Sequence, residues 1–138
     1  MKEAEKLATS QRTTSGSSFI EALLGGFFLI IIALALLDLI VLVSGTSMND
    51  SAAKVAARAA ADQQDENGAR AAALNALQEF KPTMLTTISL KNITWNTDRV
   101  TVLTTVQLRF PVPFPGHSEQ AIDSTATEPV IAAPKDGP

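Results

Sequence analysis

Two carboxylates, Glu21 and Asp38, interrupt the longest apolar stretch of this 138-residue chain. From Phe19 to Val43 the sequence reads FIEALLGGFFLIIIALALLDLIVLV, with no other charge. A charge at the centre of a membrane helix costs about 2.5–3.5 kcal/mol on insertion scales, so such residues tend to be functional. The chemistry open to a carboxylate in that setting is ion pairing with a cation that comes from elsewhere. A glycine, Gly16, stands just ahead of Glu21, where the polar run TTSGSS gives way to apolar sequence.

Other chemistries find little support. There is no cysteine, so disulfides, thiolate nucleophiles and cysteine-based metal sites are excluded. His117 is the only histidine and falls in a proline-rich stretch, where a solvated loop residue is the ordinary reading. Asp62, Asp65 and Glu66 read as a solvated helix end rather than a cation site. No glycine-rich phosphate loop and no triad-like set occurs, so neither enzyme activity, cofactor nor metal is expected. The net charge is −3 and the lysines and arginines are scattered singly, which gives no footprint for nucleic acid.

The element that carries both carboxylates is a helix. Ala22 to Val43 is long enough to cross the hydrocarbon core of a bilayer and too long for the core of a cleaved secretory signal. A single-pass membrane helix is therefore expected. Lys2, Lys6 and Arg12 precede it, against Lys54 and Arg58 after it, which tilts the N-terminus toward the cytoplasm. Gly25 and Gly26, with Ala22 and Ala33, offer small faces for close helix approach. Asp38 has two readings: it pairs with a basic group on a partner helix, or it lies near the outer interface, where the cost of a charge falls. The second is favoured, because Ser44 and Gly45 follow within about two turns.

Beyond the span, Ser44 to Ser47 mark a drop in helix propensity. Helical character resumes in SAAKVAARAAADQQ, Ser51 to Gln64, supported by acid-before-base pairs at Asp50/Lys54 and Glu66/Arg70. A break is expected at Asn67-Gly68, then a shorter helix from Ala69 to about Phe80, ended by Lys81-Pro82. After Pro82 the period becomes two. Val100, Val102, Val106, Leu108 and Phe110 alternate with Thr101, Thr105, Gln107 and Arg109, with Leu103 as the exception. Upstream, LTTISLKNITW is a second strand whose alternation slips between Leu90 and Ile93, the mark of a bulge near Asn92. Asn96-Thr97-Asp98 is turn chemistry, so the two strands should form an antiparallel hairpin. PVPFPG, Pro111 to Gly116, cannot continue a central strand, and a third short strand is expected around Ala121 to Thr127. The fold class is α+β, organised as a leader (1–16), a membrane helix (17–43), an Ala-rich helical extension (44–80), a small β domain (81–128) and a loose tail (129–138). A soluble part this small is marginal alone, and assembly with partners would relieve that. Asn49 and Asn92 head N-x-S/T triplets, which matter only in a host that glycosylates them.

The run Gly16-Ser17-Ser18-Phe19-Ile20-Glu21, leading straight into an apolar helix, resembles the processing site of type IV prepilins. The resemblance implies that a separate membrane aspartyl peptidase cuts between Gly16 and Ser17. Glu21 then becomes the fifth residue of the mature chain, whose new α-amine is commonly methylated. Asp38 late in the helix, SAAKVAARAAA beyond it, and the FPVPFPG and ATEP stretches are similar to the TadE-like minor pilins (pseudopilins) of the tight-adherence, or Flp-type, pilus. That likeness spans Gly16 to Pro129, though only the Gly/Glu junction is motif-like. It implies a type IV pilin-like fold with a long N-terminal helix extended by an Ala-rich helix and about three antiparallel strands. It also implies a role in assembling or priming a pilus or a related secretion pseudopilus, in cell adhesion or secretion. The expected partners are the membrane, other pilins through the N-terminal helix, the prepilin peptidase and the pilus assembly platform. The expected location is the bacterial inner membrane, with the C-terminal domain periplasmic, or the extracellular pilus itself.

Physical chemistry gives the junction a purpose. A cut at Gly16 exposes an α-ammonium about one helical turn from Glu21. In a helical bundle, the amine of one protomer can meet Glu21 of another and set the axial register, which an apolar seam specifies poorly. Two departures from the family stand out: Ser17 replaces the usual phenylalanine or methionine, and Ala22 replaces the tyrosine of the small major pilins. The second argues for a minor component. The rival reading is an uncleaved single-pass anchor presenting a periplasmic binding or sensory module, with Glu21 snorkelling to the headgroups.

Overall fold

The computed structural model describes residues 2–114 and 117–131, with side chains at 17–112 and 118–131. The layout is α+β: a long helix α1 (Lys2–Ala61), a short helix α2 (Glu66–Leu77), and strands β1 (Thr86–Trp95), β2 (Arg99–Phe114) and β3 (His117–Pro129). The strands form one antiparallel sheet in the order β1-β2-β3. Two compact units emerge, Met1–Leu37 and Asp38–Pro138, so residues 38–43 of the apolar run belong to the second.

Helix α1 is longer than its sequence suggests at both ends of the apolar run. Its backbone begins at Lys2 and so takes in residues 2–16 of the expected leader. KEAEKLA at its start is composed of strong helix formers, which accounts for this. It also passes through Ser44–Ser47 without a break. Thr46 donates its hydroxyl to the carbonyls of Leu42 (3.0 Å) and Val43 (2.9 Å), so the polar group is absorbed by the helix itself. Gly45 is a packing notch. A Cβ there would stand 2.2 Å from Cδ2 of Leu108, so the buried Leu108 side chain fills the space that any larger residue would need.

The core of the C-terminal unit follows from two periodicities. Ala52, Ala53, Ala56, Ala57, Ala60 and Ala61 are buried at helical spacing along α1. Val100, Val102, Thr104, Val106 and Leu108 are buried at every second position of β2. Leu103 lies out of phase with them and is only half-buried, as its place in the alternation predicts. On β1 the pairing shifts register between Leu90 and Asn92, which leaves Lys91 as the extra residue of a bulge. Ile88 and Leu90 before it, and Ile93 and Trp95 after it, thereby reach the same core. Helix α2 adds Ala69, Ala73 and Leu77. The expected break at Asn67-Gly68 falls earlier, because Asp65 caps α2 by accepting the Gly68 N–H at 2.6 Å.

The proline-rich stretch is also displaced from expectation. β2 runs on to Phe114, although its prolines cannot donate. It is central only as far as β1 accompanies it, with a last rung between Leu108 and Thr86 and an Arg109 N–H bond to the Leu85 carbonyl of 2.8 Å. Regular pairing with β3 lapses between Arg109 and Phe114. The prolines therefore stand on an overhang where missing donors cost no ladder bonds. β3 exceeds its expected span, and Val130 and Ile131 are tied by backbone bonds to Asp98 (3.1 Å) and Ala61 (3.2 Å). The rest of the expected tail, 132–138, lies outside the described residues.

Gly45→Val should lower stability by about 1–3 kcal/mol through overpacking against Leu108. Gly25→Val, where a Cβ meets nothing within 4 Å, should shift it by about 0.5 kcal/mol or less. Denaturant unfolding of the full chain in detergent, followed by the single tryptophan Trp95, reads both.

Candidate functional site

Among the described residues, one helix is long and apolar enough to cross a membrane. Its large side chains from Phe19 to Leu37 are exposed on every face of the helix. A helix apolar all round is covered by lipid or by other helices, since water leaves it unstable. Glu21 is exposed within this surface and has no hydrogen-bond or ion-pair partner among the described residues. Ala22 and Ala33 are exposed, and nothing approaches the open faces of Gly25 and Gly26. These four residues leave small-side-chain faces free for another helix. Gly16 and Ser17 lie within the helical backbone of α1, with the Ser17 side chain exposed; side chains before it lie outside those described.

Asp38 has a different environment. It is half-buried, and its Oδ1 accepts the backbone N–H of Val112 at 3.3 Å. Val112 sits between Pro111 and Pro113, neither of which has an N–H, so it carries the only amide donor of that tripeptide. Within the chain, the partner of this carboxylate is a backbone amide far along the sequence.

A second polar contact was not legible in the sequence. Asn49 is fully buried in the alanine stripe. Its Nδ2 donates to the Ile122 carbonyl (3.0 Å), and its Oδ1 accepts from the buried hydroxyl of Thr104 (2.8 Å). One residue of α1 thus holds both β2 and β3. The available signal was positional: Asn49 continues the helical spacing of Gly45, Ala52 and Ala56, and Thr104 falls on the inward phase of β2. As an N-x-S/T acceptor Asn49 is closed to modification, whereas Asn92 is exposed at the bulge. Asp50, expected beside Lys54, instead accepts the Ser124 hydroxyl.

The solvent face of the sheet is polar and cross-linked by side chains. Thr101 meets Thr127 (2.9 Å), Arg109 pairs with Glu119 (2.8 Å), and Lys91 pairs with Asp123. The Lys91 ammonium, helped by the Thr105 hydroxyl, holds the Asp123 carboxyl below its ordinary pKa. The ionised form is therefore favoured on folding, a contribution present above the ordinary carboxylate range and lost as pH falls through the lowered value. Such exposed pairs contribute little each. Among the described residues no three of His, Asp and Glu come together as a metal-holding group. Asp65 is occupied as the α2 cap, and the side chain of His117 lies outside those described.

Comparison with protein-family models, with curated proteins and with solved structures finds no match.

Two outcomes are expected of the polar contacts. Asp38→Leu should speed hydrogen exchange at the Val112 amide, while Asp38→Asn, which keeps an acceptor, should preserve its protection. Asn49→Ala should cost about 1–3 kcal/mol in denaturant unfolding, because it leaves the Thr104 hydroxyl and the Ile122 carbonyl without their partner.

Proposed function

We propose that this chain is a TadE-like minor pilin, a non-enzymatic assembly component of a tight-adherence (Flp-type) pilus or a related secretion pseudopilus. The observation that carries the reading is the Gly16–Glu21 junction at the threshold of a helix that is apolar on every face. A prepilin peptidase cuts between Gly16 and Ser17 and removes the leader. The freed helix anchors the protein in the inner membrane, with the N-terminus cytoplasmic and the α+β unit periplasmic, until it joins or primes the filament.

Glu21 is the register determinant. An exposed carboxylate on an apolar helix is unfavourable in lipid, and the α-ammonium of a neighbouring cleaved subunit offsets that cost. Gly25 and Gly26, flanked by Ala22 and Ala33, supply the surface on which the neighbouring helix packs. Among the described residues nothing competes for either feature, which supports the reading. The type IV pilin-like character of the fold rests on the same grounds: a long apolar helix, its Ala-rich continuation, and a small sheet laid along that continuation.

Intact mass and N-terminal sequencing of the protein from a membrane containing an active prepilin peptidase test the proposal. The expected N-terminus is Ser17, with or without an added methyl group. A chain that still begins at Met1 or Lys2 would refute the pilin reading and leave an uncleaved anchor with a periplasmic binding or sensory module. Glu21→Leu is expected to permit cleavage yet abolish recovery of the protein with assembled filaments. An anchor would tolerate the same change or gain membrane stability from it.

A further inference from the structure

One end of the sheet carries apolar residues that the core does not use. Met84, just ahead of β1, is 93% exposed, and Pro111 on the β2 overhang is exposed as well. They belong to the same end, because the first rung of β1 joins Thr86 to Leu108, and the Leu85 carbonyl accepts the Arg109 N–H. Phe110 and Val112 beside them are only half-buried. The residues from Phe110 to Gly116 include no acidic, lysine or arginine side chain. Behind this rim, Arg109 and Glu119 pair across the hairpin at 2.8 Å, so the first formal charges on either side neutralise one another.

The position of this end along α1 is fixed by bonds within the C-terminal unit. Leu108 packs into the notch at Gly45, and the Val112 amide reaches Asp38. Asp38 lies inside the apolar run, which continues through Leu39, Ile40, Val41, Leu42 and Val43 before the first polar residue. Five helical residues rise about 7–8 Å. A bilayer that covers the run to Val43 must therefore also meet the sheet end bonded at the level of Asp38. That depth matches the roughly 5–10 Å by which interfacial segments enter the headgroup and acyl boundary.

We infer that the sheet end formed by Met84, Phe110, Pro111 and Val112 is a membrane-contact surface, seated in the outer interfacial layer of the same bilayer that α1 crosses. Its occupant is lipid: acyl chains meet the apolar rim, and headgroups meet the Arg109–Glu119 pair. Asp38 then has a defined task. It satisfies the one amide of the Pro111–Pro113 segment, whose exposure to the acyl boundary would otherwise be costly. The inference rests on the membrane-helix reading of residues 17–43 and extends it to the folded unit.

The test uses the absence of cysteine from the chain. Single variants Met84→Cys, Pro111→Cys, Leu29→Cys and Thr97→Cys of the full chain are labelled with an environment-sensitive fluorophore. Each is reconstituted in phosphatidylcholine vesicles carrying nitroxide on the headgroup or at shallow or deep acyl positions. Thr97 is exposed in the β1–β2 turn, at the other end of the strands, and Leu29 lies in the apolar run. Loss of emission at 84 and 111 with headgroup and shallow nitroxides, without loss at 97, is the expected result. Meeting Met84, in a loop, with the same result as Pro111 guards against a misfolded variant. Quenching at 29 with 84 and 111 behaving like 97 would overturn the contact surface and leave the membrane helix intact. No quenching at 29 would overturn the membrane reading itself. Protection of 84 and 111 from aqueous iodide without quenching by lipid nitroxide would assign the rim to a protein neighbour and overturn the lipid assignment.

Discussion

The C-terminal unit depends on how closely α1 lies against its sheet. The helix face turned inward carries nothing larger than a methyl group at Ala52, Ala53, Ala56, Ala57, Ala60 and Ala61, and nothing at all at Gly45. Valines and a leucine on alternate positions of β2 fill the space this leaves. Each alanine removes little apolar area from water, so stability comes from close contact along the whole seam rather than from any large anchor. The alanines alone would let such a seam slide by a turn at small cost, and the Gly45 notch that receives Leu108 opposes this by shape. Asn49 opposes it by polarity, because a shifted helix would bury its amide without the Thr104 hydroxyl and the Ile122 carbonyl.

That seam explains which parts of the fold were visible in the sequence. The three strands, the hairpin turn and the bulge at Lys91 are local patterns, and the slip in alternation between Leu90 and Ile93 marks the bulge directly. The continuity of α1 was hidden, since Ser44–Ser47 reads as weak by propensity, while the Thr46 bonds to Leu42 and Val43 and the packing of Leu108 on Gly45 appear only in the folded chain. The capping of α2 by Asp65 was likewise masked by the more conspicuous Asn67-Gly68 pair. The polar contacts had no local signature at all. Asn49 and Thr104 are 55 residues apart, and Asp38 and Val112 are 74 apart. Only the Gly16–Glu21 junction, being short-range, could be read as a candidate site outright.

The two carboxylates of the apolar helix consequently part company. Asp38 is satisfied by the chain's own backbone and belongs to the architecture of the folded unit. Glu21 has no such provision among the described residues, and the small side chains near it are equally unengaged. Similar residues in one hydrophobic run therefore serve different ends: one completes the fold, and the other is presented outward.

The last strand has a consequence for the order in which the molecule is made. Asn49 waits for Ile122, Asp50 for Ser124, Arg58 for Glu128 and Ala61 for Ile131. Helix α1 can form as soon as it is synthesised, because its bonds are local, whereas β3 is made only after both helices and the first hairpin. Until the ribosome has released it, the alanine face is only partly covered and the outer edge of β2 stands open to pairing with other strands. A chain interrupted before Gly116 would keep its long helix and first hairpin yet lack the strand that closes them. The sheet is thus locked by the last of its three strands, and a copy ended ahead of that strand carries an adhesive edge in place of a finished surface.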